Sequence, residues 1–495
     1  MANLSKSRFL SGNQCEKKLY FDVYRKELRP AVSPQQQALF DTGHRVGELA
    51  RQLFPGGLDA TEDMNSNWSV AIERTKSWLN EGKTTIYEAT FSLPGLFAAL
   101  DILHHKNEER WAIEVKSSTE VKDYHITDAA FQYFVMKEAG HAPDRVFLMH
   151  INNSYVRNGD INPAELFHLE DITEQVLSSQ PYVSNKHAEL LEMLNRRVEP
   201  QIGIGKHCSN PFNCDYMGHC WAHLPKNHVF NLYSAHGKDY DLYEQGILDL
   251  VDVPDDFPLN HRQQLQIKGV KYNEKYIDTY EIRAFLQPIE GPLYFFDFET
   301  IFAALPVMDG TRPFEQVPFQ YSLHISDRKG NNLQHREFLA DPEDFSNPNR
   351  PNPLYQLLQQ LKEDIGETGS IVSYNASFEA TILKSLARKF PEEQAFIDNL
   401  LSRFVDLLIP FRKGWYYTPE MGASASIKYV LPAFDLNFSY DDLEIQNGGV
   451  ASDTFLTMVQ NTFSGDRDAI KTNLLKYCER DTLGMVIIYR ALIAI

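Results

Sequence analysis

The chain has 495 residues, more than one hydrophobic core usually supports, so we expect two or three domains. Hydrophobic residues make up 43% and charged residues 23% of the chain, and this balance excludes a disordered or collagen-like protein. The formal net charge of -19 argues against nucleic-acid binding through a broad basic surface, although bound cations would reverse the local sign at a carboxylate site.

The number of cysteines and the length of the apolar stretches indicate the cellular compartment of the protein. Five cysteines in a chain of this length do not indicate a disulfide scaffold, and no apolar run follows Lys6 and Arg8 to form a signal peptide. The most apolar late stretch, residues 485–495, contains Arg490 and falls short of the roughly 20 residues that cross a bilayer. We therefore expect a cytoplasmic protein without a membrane segment.

Residues 35–54 carry apolar side chains at helical spacing and predict a helix that includes His44. An antiparallel meander of three strands is predicted next, at residues 84–91, 96–103 and 110–117. A helix over residues 128–140 and a strand over residues 145–151 follow.

The middle of the chain begins with a segment that has no regular spacing of apolar residues. Residues 206–223 are dense in Cys, His and turn-forming residues, which indicates a loop organised by a metal. Mixed helical patterns fill residues 225–285, and a second α/β pattern then runs from a strand at 291–300 to a helix at 474–492. The prediction is an α/β multidomain protein divided into residues 1–224, a helical connector at 225–285, and residues 286–495.

A first candidate site lies on the meander. Strand alternation places Glu114 and Lys116 on one face, and Asp101 and Glu88 on the preceding strands can reach the same side of the sheet. Three carboxylates can hold one or two Mg2+ or Mn2+ ions, while the lysine positions a water or stabilises charge on phosphorus. Taken alone, E-x-K on an alternating strand is more often a solvated sheet face.

The wider pattern around these residues is more specific. The motif D-x12-E-x-K follows a helix with Gly43 and His44 and precedes a helix with Gln132. It resembles the RecB-like PD-(D/E)XK nucleases, of restriction-endonuclease-like fold, over roughly residues 1–223. The resemblance implies catalytic residues Asp101, Glu114 and Lys116, with metal ligands His44, Glu88, Asp101 and Glu114.

In the same family a glutamine-containing helix contacts the substrate, so the resemblance assigns that contact to Gln132. Family members often have a tyrosine three or four residues later, where this chain has Val135 and Met136. Tyr133 is the candidate that replaces this tyrosine.

The cysteine-rich loop has a spacing of its own. Cys208, Cys214 and Cys220 form C-x5-C-x5-C, and Cys15 lies near the other end of the same predicted domain. This arrangement resembles the iron-sulfur nucleases of the RecB superfamily, including AddB and the CRISPR-adaptation nucleases. The resemblance implies a structural [4Fe-4S] cluster bound by these cysteines, which clasps the two ends of the domain.

The usual late spacing in that group is C-x2-C-x5-C, so the first interval is wider here. This difference leaves Zn2+ open as the alternative, with His207, His219 or His223 in place of a thiolate. Unligated cysteines are the third possibility. Cys478 lies apart from the loop and is interpreted as a packing residue.

A second candidate site begins on the strand YFFDFET, which places Asp297 and Glu299 on one face. Such paired carboxylates can share two divalent ions about 4 Å apart. A later segment supplies Asn375 and Glu379, and a third supplies Tyr477 and Asp481, which lie one helical turn apart. The candidate residues of the second site are therefore Asp297, Glu299, Asn375, Glu379, Tyr477 and Asp481.

These three segments resemble the motifs of the DEDDy exonucleases, which have a ribonuclease-H-like fold, over about residues 290–495. The resemblance implies that Asn375 binds substrate and that Tyr477 is catalytic. It also implies that the metal ligands are Asp297, Glu299, Glu379 and Asp481. Of these ligands, Asp297, Glu299 and Asp481 are also catalytic residues. Glu379 stands where the family usually has Asp. Either its longer side chain reaches a metal through a water, or Asp406 contributes instead.

Together the resemblances imply a metal-dependent nuclease with two centres, acting on DNA in preference to RNA, the first at ends or internally and the second from a 3' end. The combination also resembles bacterial proteins grouped as a domain of unknown function. The segment Gly82-Lys83-Thr84 lacks the earlier glycine of a phosphate-binding loop, since Ser77 stands there, and so it does not imply an ATPase. Any helicase in a defence or repair complex would therefore be another chain. The alternatives are an RNA-processing nuclease and a nucleic-acid-binding module with degraded active sites.

Overall fold

The computed structural model describes residues 4–436 and 438–495. The chain is a mixed α/β protein with two compact units, which are Met1–His223 with Ala304–Phe314, and Leu224–Ala303 with Glu315–Ile495. Residues 225–285, interpreted from the sequence as a connector, therefore group with the unit that carries the second candidate site.

The sheet of the first unit has seven strands in the order β2-β3-β4-β5-β6-β7, with β1 paired to β4. Its strands are β1 (Leu4–Ser5), β2 (Leu58–Asp59), β3 (Thr85–Leu93), β4 (Leu96–Lys106), β5 (Glu109–Lys116), β6 (Arg145–Ile151) and β7 (Phe167–Asp171). Strands β3, β4 and β5 form the predicted antiparallel meander, and β6 runs parallel to β5.

The helices of the first unit cover both faces of this sheet. They are α1 (Lys6–Gln14), α2 (Glu16–Tyr24), α3 (Pro34–Arg51), α4 (Trp68–Asn80), α5 (Asp123–Glu138), α6 (Pro163–Leu166), α7 (Thr173–Ser178), α8 (Gln180–Arg196) and α9 (Met217–Cys220).

Alternation along β5 decides which helix each of its side chains meets. Ile113 packs in a core with Val46 and Ala50 of α3, whereas Ala112 belongs to the core that contains Phe131 of α5. Residues two apart on a strand share a face, so Glu114 lies on the α5 side with Ala112. This arrangement brings the first candidate site against α5.

The second unit contains a five-stranded sheet in the order β11-β10-β9-β12-β13 and a two-stranded sheet of β8 and β14. The strands are β8 (Tyr276–Ile277), β9 (Leu293–Phe302), β10 (Gln316–Ser326), β11 (Gln334–Leu339), β12 (Ser370–Ser373), β13 (Phe404–Asp406) and β14 (Tyr416–Tyr417). Strands β9, β10 and β11 are antiparallel, while β12 and β13 run parallel to β9.

Helices surround this second sheet. They are α10 (Lys238–Glu244), α11 (His261–Tyr272), α12 (Thr279–Leu286), α13 (Pro342–Ser346), α14 (Pro353–Asp364), α15 (Ser377–Lys389), α16 (Gln394–Ser402), α17 (Ile409–Arg412), α18 (Ile427–Val430), α19 (Gly448–Val459) and α20 (Arg467–Ile493). In the described part of the chain, none of the helices combines the length and apolarity needed to cross a membrane.

The central strand β9 separates aromatic from acidic side chains. Phe296 and Phe298 are buried on one face, where Phe296 also lies against Tyr321. Asp297 and Glu299 point to the other face, and the Cys478 sulfur of α20 lies 3.9 Å from Asp297 Oδ2. The α20 helix therefore covers the acidic face of the sheet and supplies the next residues of the second site.

Candidate active sites and cysteine cluster

Glu114 and Lys116 form the centre of the first site. Glu114 is only 1% exposed, and Lys116 Nζ lies 2.6 Å from its Oε1 atom. Asp101, on the neighbouring strand β4, accepts a hydrogen bond from the Val115 N–H at 2.7 Å. The backbone of β5 thus fixes the Asp101 carboxylate beside Glu114.

A pocket of about 370 Å³ opens at these residues. The predicted site residues in its wall are His44, Glu88, Asp101, Glu114 and Lys116. His44 comes from α3 and is exposed, so its imidazole is accessible to a ligand in the pocket. The fold therefore brings the five residues together from one helix and three strands.

Gln132 and Tyr133 occupy different surroundings. Gln132 is buried, and its amide donates a hydrogen bond to Glu114 Oε2 at 2.8 Å. Tyr133 is half-buried and packs against the core of the first unit. In this structure Gln132 orients Glu114, and Tyr133 contributes to the core.

Three further residues complete the first site and were missed by the sequence reasoning. Lys6 Nζ lies 2.7 Å from Glu114 Oε1, Asp128 Oδ2 lies 2.7 Å from Lys116 Nζ, and Arg51 pairs with Glu88 at 2.8 Å. Asp128 could have been found, because it lies one helical turn before Gln132 on α5. Lys6 carries no local signal, since 108 residues separate it from its partner.

Asp101 and Glu114 of the first site differ in charge state. Burial and the neighbouring Glu114 raise the pKa of Asp101 to about 7. Burial would also raise the pKa of Glu114, but Lys116 and Lys6 hold it well below its usual range. Glu114 is therefore a stable anion, whereas Asp101 is only partly ionised at neutral pH and a bound cation would favour its charged form.

The cysteine cluster consists of Cys15, Cys208, Cys214 and Cys220, and all four are free thiols in the first unit. Cys15 lies between α1 and α2, and the adjacent Gln14 side chain donates hydrogen bonds to the His207 and Phe212 carbonyls at 2.8 and 2.7 Å. These bonds join the start of the chain to the cysteine-rich loop directly.

The four thiols influence one another electrostatically. Burial raises the pKa of Cys15, Cys214 and Cys220, and each of these is raised further by the charge of Cys208. The four thiols therefore lie near one another, although no three of them form a group with all sulfurs within 4.8 Å among the described residues.

Four carboxyl groups meet in the second site, three of them buried and that of Asp297 partly buried. Ligand atoms of Asp297, Glu299 and Cys478 lie within 4.8 Å of one another. Glu379, at the start of α15, is 1% exposed, and Asp481 on α20 is 8% exposed. Glu379 interacts directly with the Asp297 side chain, so it belongs to the same acidic cluster as the three other carboxyl groups.

Burial is the largest effect on the acidity of this cluster. It raises the pKa of Asp297, Glu299 and Glu379, and the neighbouring carboxylates raise it further. Burial also raises the pKa of Asp481, to about 6, and this rise is opposed by hydrogen bonds from Tyr440 and Tyr477 and by the charge of Lys428. One lysine cannot neutralise four carboxylates, so the cluster is suited to bind cations.

Two tyrosines surround Asp481. The Tyr440 hydroxyl donates to Asp481 Oδ1 at 2.5 Å, and the Lys428 ammonium lies 4.8 Å from the Tyr440 ring and 5.5 Å from the Tyr477 ring. Tyr477 is buried, as a residue on the sheet-facing side of α20 should be. Sequence reasoning identified Tyr477 but missed Tyr440 and Lys428, which reach Asp481 from a segment outside the three motifs.

Asn375 and Asp406 lie at the loop before α15. Asn375 is exposed with a φ of 73°, and its N–H donates to Asp406 Oδ1 at 3.0 Å. Asp406 Oδ1 also accepts from the Leu408 N–H at 3.0 Å. Asp406 therefore supports the loop backbone, and of the two residues considered for the fourth carboxylate, Glu379 is the one next to Asp297.

Comparison with known proteins connects these residues to a family model. The domain of unknown function DUF2779 matches residues 294–426. The matched segment includes Asp297, Glu299, Asn375 and Glu379, and it ends before Tyr477 and Asp481.

Three bacterial proteins are similar to part of the chain. The uncharacterized protein MG366 homolog of Mycoplasma pneumoniae is 28% identical over 243 residues, which are 45% of this chain and 34% of that protein. The uncharacterized protein MG366 of Mycoplasma genitalium is 28% identical over 238 residues, or 44% and 34%. The uncharacterized protein UU173 of Ureaplasma parvum is 25% identical over 284 residues, or 52% and 40%. The chain thus spans 34% to 40% of the length of these curated relatives.

Proposed function

We propose that the chain is a divalent-metal-dependent nuclease with two phosphodiester-cleaving centres. The observation that carries the proposal is the cluster of Asp297, Glu299, Glu379 and Asp481, in which three carboxyl groups are buried, Asp297 is partly buried, and all four pKa values are raised. Burying like charges without counterions is costly, and divalent cations at this position would remove that cost.

The proposal for the second centre is a 3'-5' exonuclease of ribonuclease-H-like fold. Three antiparallel strands followed by two parallel ones, with the acidic face of β9 against α20, support this assignment. Bound Mg2+ or Mn2+ would supply activation of water and stabilisation of the leaving oxygen. Tyr477 and Lys428, beside Asp481, would orient the attacking water and stabilise charge on the phosphate.

The proposal for the first centre is a PD-(D/E)XK nuclease of the RecB-like type. An antiparallel meander, a helix and a strand parallel to the last meander strand hold Asp101, Glu114 and Lys116 at one pocket, which supports the assignment. Asp101, His44 and Glu88 would hold Mg2+ or Mn2+ together with Glu114. Lys116 would place its ammonium group next to the scissile phosphate.

For the cysteine cluster we propose a [4Fe-4S] centre with a structural role. The arrangement of one early cysteine, Cys15, with three later ones supports the iron-sulfur assignment, and Zn2+ is the alternative.

We propose DNA as the preferred polymer and RNA as the alternative. The decisive experiment incubates the purified chain with end-labelled single- and double-stranded DNA and RNA, in Mg2+, Mn2+ or EDTA. The proposal expects metal-dependent cleavage that EDTA abolishes. Absence of cleavage of every polymer with either metal would reject it.

One observation favours a second candidate for the first centre. Both oxygens of Glu114 already have partners, since Lys6 and Lys116 contact Oε1 and Gln132 contacts Oε2. A carboxylate engaged in this way can serve a folded nucleic-acid-binding module that has no catalytic role. Metal-independent binding of the same end-labelled polymers, without first-centre products, would favour this candidate.

A further inference from the structure

A second group of metal-ligating side chains lies apart from the acidic cluster in the second unit. Ligand atoms of His324 on β10, His335 on β11 and Glu479 on α20 all lie within 4.8 Å of one another. The two histidines are directly opposite each other in the sheet, and their ring centroids are 4.6 Å apart. The group therefore joins the edge strand of the sheet to the helix that covers it.

Hydrogen bonds hold both imidazole rings in defined orientations. His324 Nδ1 lies 2.8 Å from the Thr482 hydroxyl, and His335 Nε2 lies 2.9 Å from the Ser322 hydroxyl. The two hydroxyl groups are themselves 2.7 Å apart. Each ring thus has one nitrogen at a hydroxyl and a second nitrogen that this hydrogen bond does not use.

This pattern is the one that metal-binding histidines adopt, in which the nitrogen that does not bind metal is held by a hydrogen bond. The remaining nitrogen of His335, Nδ1, lies 3.9 Å from Glu479 Oε1. That separation is long for a hydrogen bond but leaves room for a cation between the two atoms. His324 is 3% exposed and the Glu479 side chain is 45% exposed, so a cation would be shielded from water on the His324 side and accessible to it at Glu479.

We propose that His324, His335 and Glu479 form a binding site for a first-row transition-metal ion, with Zn2+ as the expected occupant. Two imidazole nitrogens and one carboxylate oxygen suit Zn2+, whereas Mg2+ prefers a shell of oxygen ligands. The site differs in chemistry from the acidic cluster and does not depend on nuclease activity. Its role is structural, because it ties β11 to α20, the helix that carries Tyr477 and Asp481.

The position of the site explains how it would influence the acidic cluster. Ser322 pairs with Asp297 across the sheet, and Thr482 follows Asp481 on α20. A metal bound to His324, His335 and Glu479 would restrain both hydroxyl residues through the histidines. It would thereby hold α20 in register with β9 without contacting the reacting atoms.

Cobalt titration tests the site, because Co2+ substitutes for Zn2+ and gives a visible spectrum. The cysteines can bind Co2+ as well, but thiolate ligation produces a charge-transfer band in the near ultraviolet that nitrogen and oxygen ligands do not. With excess Mg2+ present to occupy the carboxylate sites, we expect the full chain to bind one equivalent of Co2+ without that band, and Zn2+ to displace it.

His335→Ala and Glu479→Gln should each remove this equivalent or weaken its binding at least tenfold. Gln334→Ala is the matched control, since residue 334 is exposed and adjacent on β11, and it should bind Co2+ as the unaltered chain does. The Glu479 side chain is 45% exposed, so Glu479→Gln keeps the test available if His335→Ala fails to fold.

Unchanged Co2+ stoichiometry and affinity in Glu479→Gln, or binding of Co2+ only in a form that shows the thiolate band, would overturn the proposal. The titration does not measure cleavage, so either result leaves the nuclease proposal to its own test.

Discussion

A buried carboxyl group is charged only if a cation is near enough to offset the loss of solvent. Glu114 contacts two such cations, Lys6 and Lys116, whereas the same lysines only partly offset the burial of Asp101, whose pKa is about 7. Neighbouring carboxyl groups on the same sheet therefore differ in the pH above which they are charged and available to a metal ion. In the second unit, Asp481 shares the behaviour of Asp101, with a pKa of about 6.

The pKa of Asp101 leads to a prediction for the first centre. Its folded-state pKa lies above its ordinary value, so the carboxyl is protonated below about pH 7 and must lose a proton before it binds Mg2+. The Mg2+ concentration for half-maximal cleavage should rise about tenfold for each pH unit below 7. Cleavage in an Asp297→Ala background at pH 5.5, 6.5 and 7.5 measures this. A half-maximal Mg2+ concentration that is constant over that range would contradict it.

Tyr477 provides a second prediction at the scale of one residue. Tyr477→Phe keeps the buried ring but removes the hydroxyl next to Asp481, while the Tyr440 hydrogen bond to Asp481 remains. Single-turnover 3' trimming in a Lys116→Ala background should fall by a factor on the order of 10² to 10⁴, with little change in the melting temperature.

The control is Tyr489→Phe, which removes a hydroxyl from the same helix at a position where it donates to the Arg328 carbonyl at 2.8 Å. This variant should trim at the normal rate. If Tyr477→Phe also trims normally, the hydroxyl has no part in the chemical step, and Tyr477 is a packing residue.

The elements of the first unit are joined at their ends by the cysteine-rich loop. Besides the bonds from Gln14, the Tyr216 hydroxyl of this loop donates to Asp22 of α2 at 2.8 Å, and Phe21 packs on the Tyr216 ring with centroids 5.2 Å apart. These contacts bring Cys15 to the loop without metal. A cluster bound to the cysteines would therefore reinforce an existing junction.

Cys15→Ser tests that reinforcement. We expect anaerobically purified protein to show an oxygen-sensitive iron-sulfur absorbance, and Cys15→Ser to lose it and to melt several degrees lower, because a ligand to the cluster is removed. Cys478→Ser, which alters a cysteine of the second unit, should keep both the iron and the absorbance. Stoichiometric zinc without iron would contradict the cluster assignment, and iron retained in Cys15→Ser would exclude Cys15 as a ligand.

At the scale of the whole molecule, the two candidate centres draw their residues from different units of the chain. Asp101, Glu114 and Lys116 belong to the first, and Asp297 and Asp481 belong to the second. The protein should therefore behave as two catalysts on one chain, each with its own metal ions.

The corresponding prediction is that the two activities separate. Lys116→Ala should lose first-centre products and keep 3' trimming, and it should still fold because Lys6 continues to pair with Glu114. Asp297→Ala should do the reverse. Lys122→Ala, which changes a half-exposed lysine next to α5, is the control and should keep both activities. Loss of all cleavage in either single variant, with the fold intact, would show that the centres depend on each other.

The sequence alone determined much of the framework. Alternation of apolar residues predicted the β3–β5 meander and the β6 strand, whose bounds of Arg145–Ile151 are those predicted. It also predicted that Glu114 and Lys116 share a face, and that Asp297 and Glu299 point away from Phe296 and Phe298. These features follow from backbone periodicity, which is a local property of the chain.

Only the tertiary structure decided which distant groups complete each site. Lys6 reaches Glu114 across 108 residues, and Tyr440 reaches Asp481 across 41. The position of Glu379 beside Asp297, with Asp406 bonded to the loop backbone, likewise depends on how α15 packs on the sheet. The pairing of His324 with His335 depends on the register of β10 and β11. Periodicity fixes the face on which a side chain lies, but packing and strand register fix its neighbours, and these arise from contacts between residues far apart in the sequence.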